Sequence, residues 1–161
     1  MSAELRNSAS DLLDELRSQG LMLSAAESCT GGLISACLTD IPGSSDVLER
    51  GFVTYSNAAK TEMLGVPPDI IETYGAVSEE VAIAMASGAL AHSKAGISVA
   101  VTGIAGPGGG SDDKPVGLVH IAGQRRGGRV THIRCEFGDI GRSEVRERTV
   151  AEALRLVRSL I

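Results

Sequence analysis

Three side chains that can carry out hydrolytic chemistry together fall within sixteen positions of one another: Ser45, Tyr55 and Lys60. The chain has three histidines, none in a glycine-rich turn, and three scattered cysteines. A hydroxyl nucleophile with a lysine base is therefore the chemistry that these residues favour. Lysine acts as a base only when neutral, so its pKa must fall from about 10.4 to about 7–8 through burial or a nearby cation.

We therefore interpret Ser45 as the nucleophile, Lys60 as its base and Tyr55 as a proton relay or a donor to the oxyanion. This requires Lys60 to lie in a closed, partly apolar pocket. Spacing alone leaves the alternative open, in which Lys60 is a solvated helix lysine and Tyr55 is a strand residue with its hydroxyl in water.

Residues 27–32 form a glycine-rich turn between a predicted strand and a predicted helix. Free N–H groups at a helix start favour an anion such as phosphate, which makes Ser28, Thr30 and Gly31 candidate binding residues. In the alternative interpretation, Ser28 or Thr30 caps the helix and the glycines allow close packing.

Residues 102–110 contain five glycines in nine positions, again after a predicted strand. Ordering such a segment costs much backbone entropy, which points to a bound ligand near Thr102, Gly103 and Gly106. The alternative is a flexible surface loop. Neither turn matches a Walker loop or Gly-x-Gly-x-x-Gly, so an NTPase or a dinucleotide oxidoreductase is not supported.

The start of the last predicted helix has three arginines, namely Arg142, Arg146 and Arg148. Arginine binds phosphate through two parallel hydrogen bonds, and Arg142 is the best candidate because it lies at the junction of loop and helix. The alternative is a solvated face in which these arginines pair with neighbouring glutamates.

Periodicity and turn residues predict an alternation of helices and strands that ends in a hairpin and a helix. Strands are predicted at 21–26, 51–55, 97–102, 116–122 and 129–137, and helices at 5–16, 33–38, 57–64, 68 onward, 78–92 and 143–161. This order predicts a three-layer α/β/α sandwich with a mixed, mostly parallel sheet, in one domain over residues 1–161. Both glycine-rich turns would then lie at one edge of the sheet, where open sheets bind ligands.

Composition excludes several classes of function. The net charge of −5, the lack of Trp and the lack of a basic stripe predict no nucleic-acid partner. No apolar run approaches the ~18–20 residues of a membrane span, and no apolar segment marks a signal peptide. Three cysteines without short spacing predict neither a metal site nor a disulfide framework, so we expect a cytoplasmic protein.

Five segments in order together resemble the CinA C-terminal-domain family, namely 26–32, 42–45, 51–60, 75–78 and 102–109. That family includes nicotinamide-nucleotide amidohydrolases, which cleave the carboxamide of nicotinamide mononucleotide to give nicotinate mononucleotide and ammonia in NAD salvage. The resemblance implies a small nucleotide substrate, no cofactor or metal, and a homodimer. It also implies the stand-alone form, without the N-terminal domain that many CinA proteins carry.

By the resemblance, Ser45, Tyr55 and Lys60 are the catalytic residues. Residues 28–31 and 102–106 hold the phosphate and ribose, with Arg142 as the arginine. Two alternatives stay open: a module that binds a mononucleotide without chemistry, and a partner of the competence or DNA-damage machinery.

Overall fold

The computed structural model describes residues 1–161, and helices and strands alternate along the chain until a final hairpin and helix. The strands are β1 (Leu23–Glu27), β2 (Leu48–Val53), β3 (Ile97–Gly103), β4 (Leu118–Arg125) and β5 (Val130–Glu136). The helices are α1 (Ala3–Ser18), α2 (Leu33–Thr39), α3 (Asn57–Leu64), α4 (Pro68–Tyr74), α5 (Glu79–Ala91) and α6 (Arg142–Arg158).

The strands form one mixed sheet in the order β2-β1-β3-β4-β5. β1 pairs in parallel with both β2 and β3, whereas β4 runs antiparallel to its two neighbours. The three parallel strands end together at Glu27, Val53 and Gly103, and we call this side of the sheet the carboxyl edge. The opposite side, where these three strands begin, is the amino edge.

Helices cover both faces of the sheet, as the sequence predicts. One core of aliphatic side chains packs α1, α2 and α6 against one face, and a second core packs residues of α3, α4 and α5 against the other. β1 and β3 are buried along nearly their whole length, which explains why they read as continuous apolar runs rather than as alternating patterns. The predicted α/β/α sandwich with a mixed sheet is confirmed.

One strand begins earlier than predicted. β2 begins at Leu48, three residues before the predicted strand, because it continues in parallel register with β1 from Leu23 onward. α3 occupies its predicted range, and the hydroxyl of Ser56 caps it by accepting from the N–H of Ala59. None of the six helices is both long and apolar enough to cross a membrane.

Candidate active site

Lys60 is a buried lysine without a charged partner. It lies in the first turns of α3, is 1% exposed, and is among the largest fully buried side chains of the protein. Its Nζ lies 3.0 Å from the Oγ of Ser28 and donates to the carbonyl oxygen of Thr54 at 2.8 Å. Both partners are uncharged, so burial lowers the pKa of Lys60 from its ordinary value.

Ser28 follows β1 directly at the carboxyl edge, where the main chain turns toward α2. Its own N–H donates to the carbonyl oxygen of Val101 on β3, which ties the start of the turn to the sheet. The next two N–H groups, those of Cys29 and Thr30, donate to no backbone carbonyl oxygen. Ser28 Oγ therefore lies between a buried amine and a turn with free N–H donors.

The first glycine-rich turn is closed around an internal carboxylate instead of an external anion. Glu27 is completely buried and accepts hydrogen bonds from the N–H groups of Gly32, Ile34 and Ser35 at 2.8–3.0 Å. It also accepts from the hydroxyls of Thr30 and Ser35. Glu27 thus occupies N–H groups that a phosphate at the start of α2 would need, and the binding role of Thr30 and Gly31 stays a prediction.

The second glycine-rich turn is open. The N–H groups of Ala105, Gly106, Gly108 and Gly109 have no acceptor within the protein, although the ends of the loop are held by hydrogen bonds. Gly106 has a φ of +79°, and a Cβ there would meet Val116 at 2.6 Å, so only glycine fits this position. This turn retains free donors for a ligand.

Arg142 and Tyr55 meet across the mouth of the site. Arg142 begins α6 and donates from Nη1 to the carbonyl oxygen of Gly106 and from Nη2 to the hydroxyl of Tyr55, both at 2.8 Å. Neither acceptor carries a charge, so the guanidinium charge is not neutralised. Tyr55 is 61% exposed, which places this pair at the solvent boundary.

These groups surround a cleft of about 220 Å³ at the carboxyl edge. The structure brings together six of the predicted site residues along its walls: Ser28, Tyr55, Lys60, Thr102, Gly103 and Arg142. The hydroxyl of Thr102 donates to the carbonyl oxygen of Ala76 and so closes one wall. Cys29 and Ala105, which also line the cleft, fall within the predicted ranges 28–31 and 102–106, whereas Asn57, Ala76 and Val77 were not assigned a role from the sequence.

Ser45 does not reach this cleft. It is exposed in a short 3-10 helix, Ser44–Asp46, which comes immediately before β2 and therefore lies at the amino edge. Lys60 comes after β2, and the six residues of the strand between them span roughly 20 Å at about 3.3 Å per residue. Arg17 of α1 holds the Ser45 turn in place through Asp46 and the carbonyl of Gly43. The structure therefore places Ser28, and not Ser45 as expected from the sequence, beside Lys60.

The two further arginines of α6 have different surroundings. Arg146 donates from Nη2 to the carbonyl oxygen of Thr30 at 2.8 Å, behind the wall of the cleft. Arg148 is exposed and pairs with Glu144, as the solvated-face alternative predicts. No cluster of three or more His, Cys, Asp or Glu side chains is arranged to bind a metal ion.

Comparison with known proteins agrees with the fold and with the sequence resemblance. The family model described as the CinA C-terminal domain matches residues 5–161. The competence/damage inducible protein CihA from Agrobacterium tumefaciens, a solved structure, superposes with a TM-score of 0.97 at 52% identity, covering 99% of this chain and 96% of that one.

The relatives are of two kinds: proteins that this chain covers almost fully, and longer proteins of which it covers about a third or less. The nicotinamide-nucleotide amidohydrolase PncC of Escherichia coli K12 is 46% identical over 154 residues, which cover 95% of this chain and 92% of that protein. A CinA-like protein of Akkermansia muciniphila is 59% identical over 113 residues, which cover 70% of this chain and 27% of that protein. The chain spans between 26% and 36% of the length of the CinA-like and competence-damage relatives.

Proposed function

The chain belongs to the CinA C-terminal domain family, and from that premise we propose that it hydrolyses the carboxamide of nicotinamide mononucleotide to nicotinate mononucleotide and ammonia. The observation that carries this proposal is the 3.0 Å contact between Ser28 Oγ and the buried Nζ of Lys60. The relative PncC matches this chain over nearly its full length, and its name, nicotinamide-nucleotide amidohydrolase, supports the choice of substrate.

Ser28 is the nucleophile and Lys60 is the base. A neutral Lys60 donates one N–H to Thr54 and keeps its lone pair for the Ser28 hydroxyl, a division that the two contacts at 2.8 and 3.0 Å allow. The nicotinamide ring of the substrate is a cation, and a second positive charge beside Lys60 disfavours its protonated form further. Binding of the substrate therefore helps to keep the base neutral.

The first half of the reaction forms an acyl-enzyme. Ser28 Oγ attacks the carboxamide carbon while its proton passes to Lys60 Nζ, and the carbonyl oxygen becomes an oxyanion. The free N–H of Cys29, the residue after the nucleophile, receives that oxyanion, with the N–H of Thr30 as a second donor. Lys60 then returns the proton to the leaving nitrogen, the C–N bond breaks, and ammonia departs.

The second half restores the enzyme. Lys60 takes a proton from water, the resulting hydroxide adds to the ester carbon, and the bond to Ser28 Oγ breaks as the serine regains its proton. The products are free enzyme and the carboxylic acid, which loses its proton to solvent or to the released ammonia and becomes the nicotinate carboxylate. Over both halves of the reaction, Lys60 gives back every proton that it accepts.

The phosphate of the substrate binds at the open side of the cleft. Arg142 carries an unneutralised guanidinium there, and the N–H groups of Ala105 and Gly106 lack acceptors. A phosphate oxygen replaces the Tyr55 hydroxyl as the partner of Arg142, and this exchange frees Tyr55 to contact the substrate. Such a site contributes at least ~2–4 kcal/mol, or roughly 30- to 1,000-fold in affinity.

The direct test is release of ammonia from nicotinamide mononucleotide by the purified protein in the presence of a chelator. We expect ammonia and nicotinate mononucleotide in equal amounts, and none above background from the Ser28→Ala protein. Tight binding of the mononucleotide without ammonia release would instead identify a binding module without chemistry. Absence of both binding and release would contradict the proposed substrate.

A further inference from the structure

Arg146 lies one helical turn after Arg142 and therefore on the same side of α6. Arg142 reaches over the mouth of the cleft, whereas Arg146 extends behind its wall to the turn that follows Ser28. Its Nη2 donates to the carbonyl oxygen of Thr30, and its Nε is buried without a partner. Arg146 does not line the cleft, so it does not touch a substrate there.

The carbonyl that Arg146 binds belongs to the turn that supplies the free N–H donors. Thr30 is held at its side chain by Glu27, three residues earlier, and at its carbonyl by Arg146 of the remote helix α6. The next residue, Gly31, has a φ of +58° and no side chain to restrict the turn. External anchors must therefore orient the N–H groups of Cys29 and Thr30.

The charge of Arg146 matters as well as its hydrogen bond. The carboxylate of Glu27 is buried directly behind the turn, and its negative charge opposes an oxyanion forming at Cys29. Burial is the main reason that the pKa of the Cys29 thiol is raised to about 12; Glu27 raises it further, and Arg146 lowers it. Both charges thus act on the Cys29 side chain, with opposite signs, and the N–H that would receive the oxyanion belongs to the same residue.

We propose that Arg146 is a positioning residue for the amide hydrolysis: it holds Thr30 so that the turn's free N–H groups can receive the oxyanion, and it offsets the charge of Glu27 there. This inference rests on the proposed function. It assigns a role in the transition state to a side chain that makes no contact with the substrate.

The kinetic test compares Arg146→Met, which removes the charge and the donor, with Arg146→Lys, which keeps a cation and one donor. Misplaced oxyanion donors act on the transition state, so kcat for Arg146→Met should fall by about 10- to 100-fold while KM changes by less than about threefold. Arg146→Lys should recover part of kcat. Arg148→Met is the matched control on the same helix and should stay within about twofold of wild type.

A second readout does not depend on the identity of the substrate. A fluorophosphonate probe bonds its phosphorus to Ser28 Oγ and releases fluoride as Lys60 accepts the serine proton, and its phosphoryl oxygen needs the same N–H donors. We expect Arg146→Met to slow labelling of Ser28 by a factor similar to the loss in kcat. Thermal unfolding of each variant shows whether the protein is folded.

The outcomes separate the two proposals. Slowed labelling in Arg146→Met, together with a wild-type protein that does not hydrolyse the mononucleotide, supports the positioning role and overturns the substrate. Turnover and labelling within about twofold of wild type in Arg146→Met overturn the positioning role and leave the substrate standing. If Arg146→Met does not fold, Arg146→Lys decides: a partial loss in both readouts supports the role, and unchanged values overturn it.

Discussion

The two edges of the sheet carry polar residues of similar types in opposite environments. At the carboxyl edge, Lys60 is buried without a charged partner, and the nearby hydroxyl of Ser28 faces it. At the amino edge, Ser45 is exposed and its turn is held by the surface ion pair of Arg17 and Asp46. Desolvated groups have shifted pKa values and can react, whereas solvated ion pairs contribute little beyond local order.

The first prediction compares the two serines. Ser28→Ala should lower kcat by at least about 1,000-fold because no other hydroxyl contacts Lys60 Nζ. Ser45→Ala should stay within about twofold of wild type. Steady-state ammonia release by both variants measures this difference.

The proposed difference between the two edges would be contradicted if Ser45→Ala, and not Ser28→Ala, lowered kcat. Loss of activity in Ser45→Ala with retention in Ser28→Ala would return the nucleophile to the amino edge. Both variants should unfold near the temperature of the wild type, because neither change leaves a large cavity.

The second prediction concerns the base. Lys60→Arg should be as damaging as Lys60→Ala, about 100- to 10,000-fold in kcat, because arginine does not lose its proton at accessible pH. In the wild type, kcat/KM should fall as the pH falls through the lowered pKa of Lys60, since the protonated amine cannot accept the serine proton. A pH–rate profile of wild type and both variants tests this.

Lys94 supplies the control for this experiment because it is exposed and comes just before β3, at the amino edge. Lys94→Arg should leave both kcat and the pH profile unchanged. An active Lys60→Arg protein would mean that Lys60 serves as a fixed cation and that the base lies elsewhere.

The third prediction separates binding from chemistry within the carboxyl edge. Wild type should prefer the mononucleotide over its nucleoside by roughly 30- to 1,000-fold in kcat/KM, and Arg142→Gln should remove most of this preference. The effect should fall mainly on KM, with a part in kcat because the phosphate also positions the carboxamide over Ser28. Parallel kinetics on the two compounds measure it, and equal values in wild type would contradict the anion site.

The fourth prediction is the smallest and concerns stability. His120 on β4 faces Thr102 across the sheet near the carboxyl edge, and its Nδ1 lies 2.9 Å from Nε2 of His132. Burial, and next the neighbouring His132, lower the pKa of His120 to about 4. The stabilisation linked to neutral His120 is therefore complete above about pH 6.5 and is lost as the pH falls through about 4.

His120→Gln should reduce the loss of melting temperature between pH 6.5 and 4 by several degrees, since 1 kcal/mol corresponds to roughly 2–4 °C in a domain of this size. His92→Gln is the control because His92 is exposed, and it should retain the pH dependence of the wild type. Identical melting curves for wild type and His120→Gln across this range would exclude His120 as the group that titrates.

Much of the site was predictable because local sequence determines where elements begin and end. The strand before Ser28 and the strand that contains Thr102 were both recognised, and parallel strands of one sheet end at the same edge. The same rule contained the signal that selects the serine: Ser28 follows a strand, whereas Ser45 precedes one. Proximity along the chain concealed it, because Ser45 is closer in sequence to Lys60 than Ser28 is.

The sequence by itself determined the α/β class, the order of the elements and the residue types that reach the carboxyl edge, because periodicity, caps and glycine turns are local properties. Tertiary structure alone decided which serine meets Lys60, since a strand of six residues separates Lys60 from Ser45 while parallel pairing brings Ser28 beside it. It also decided that Glu27 closes the first glycine-rich turn, whereas the second turn stays open. A buried carboxylate with five donors depends on the packing of β1 against α2, which no local pattern specifies.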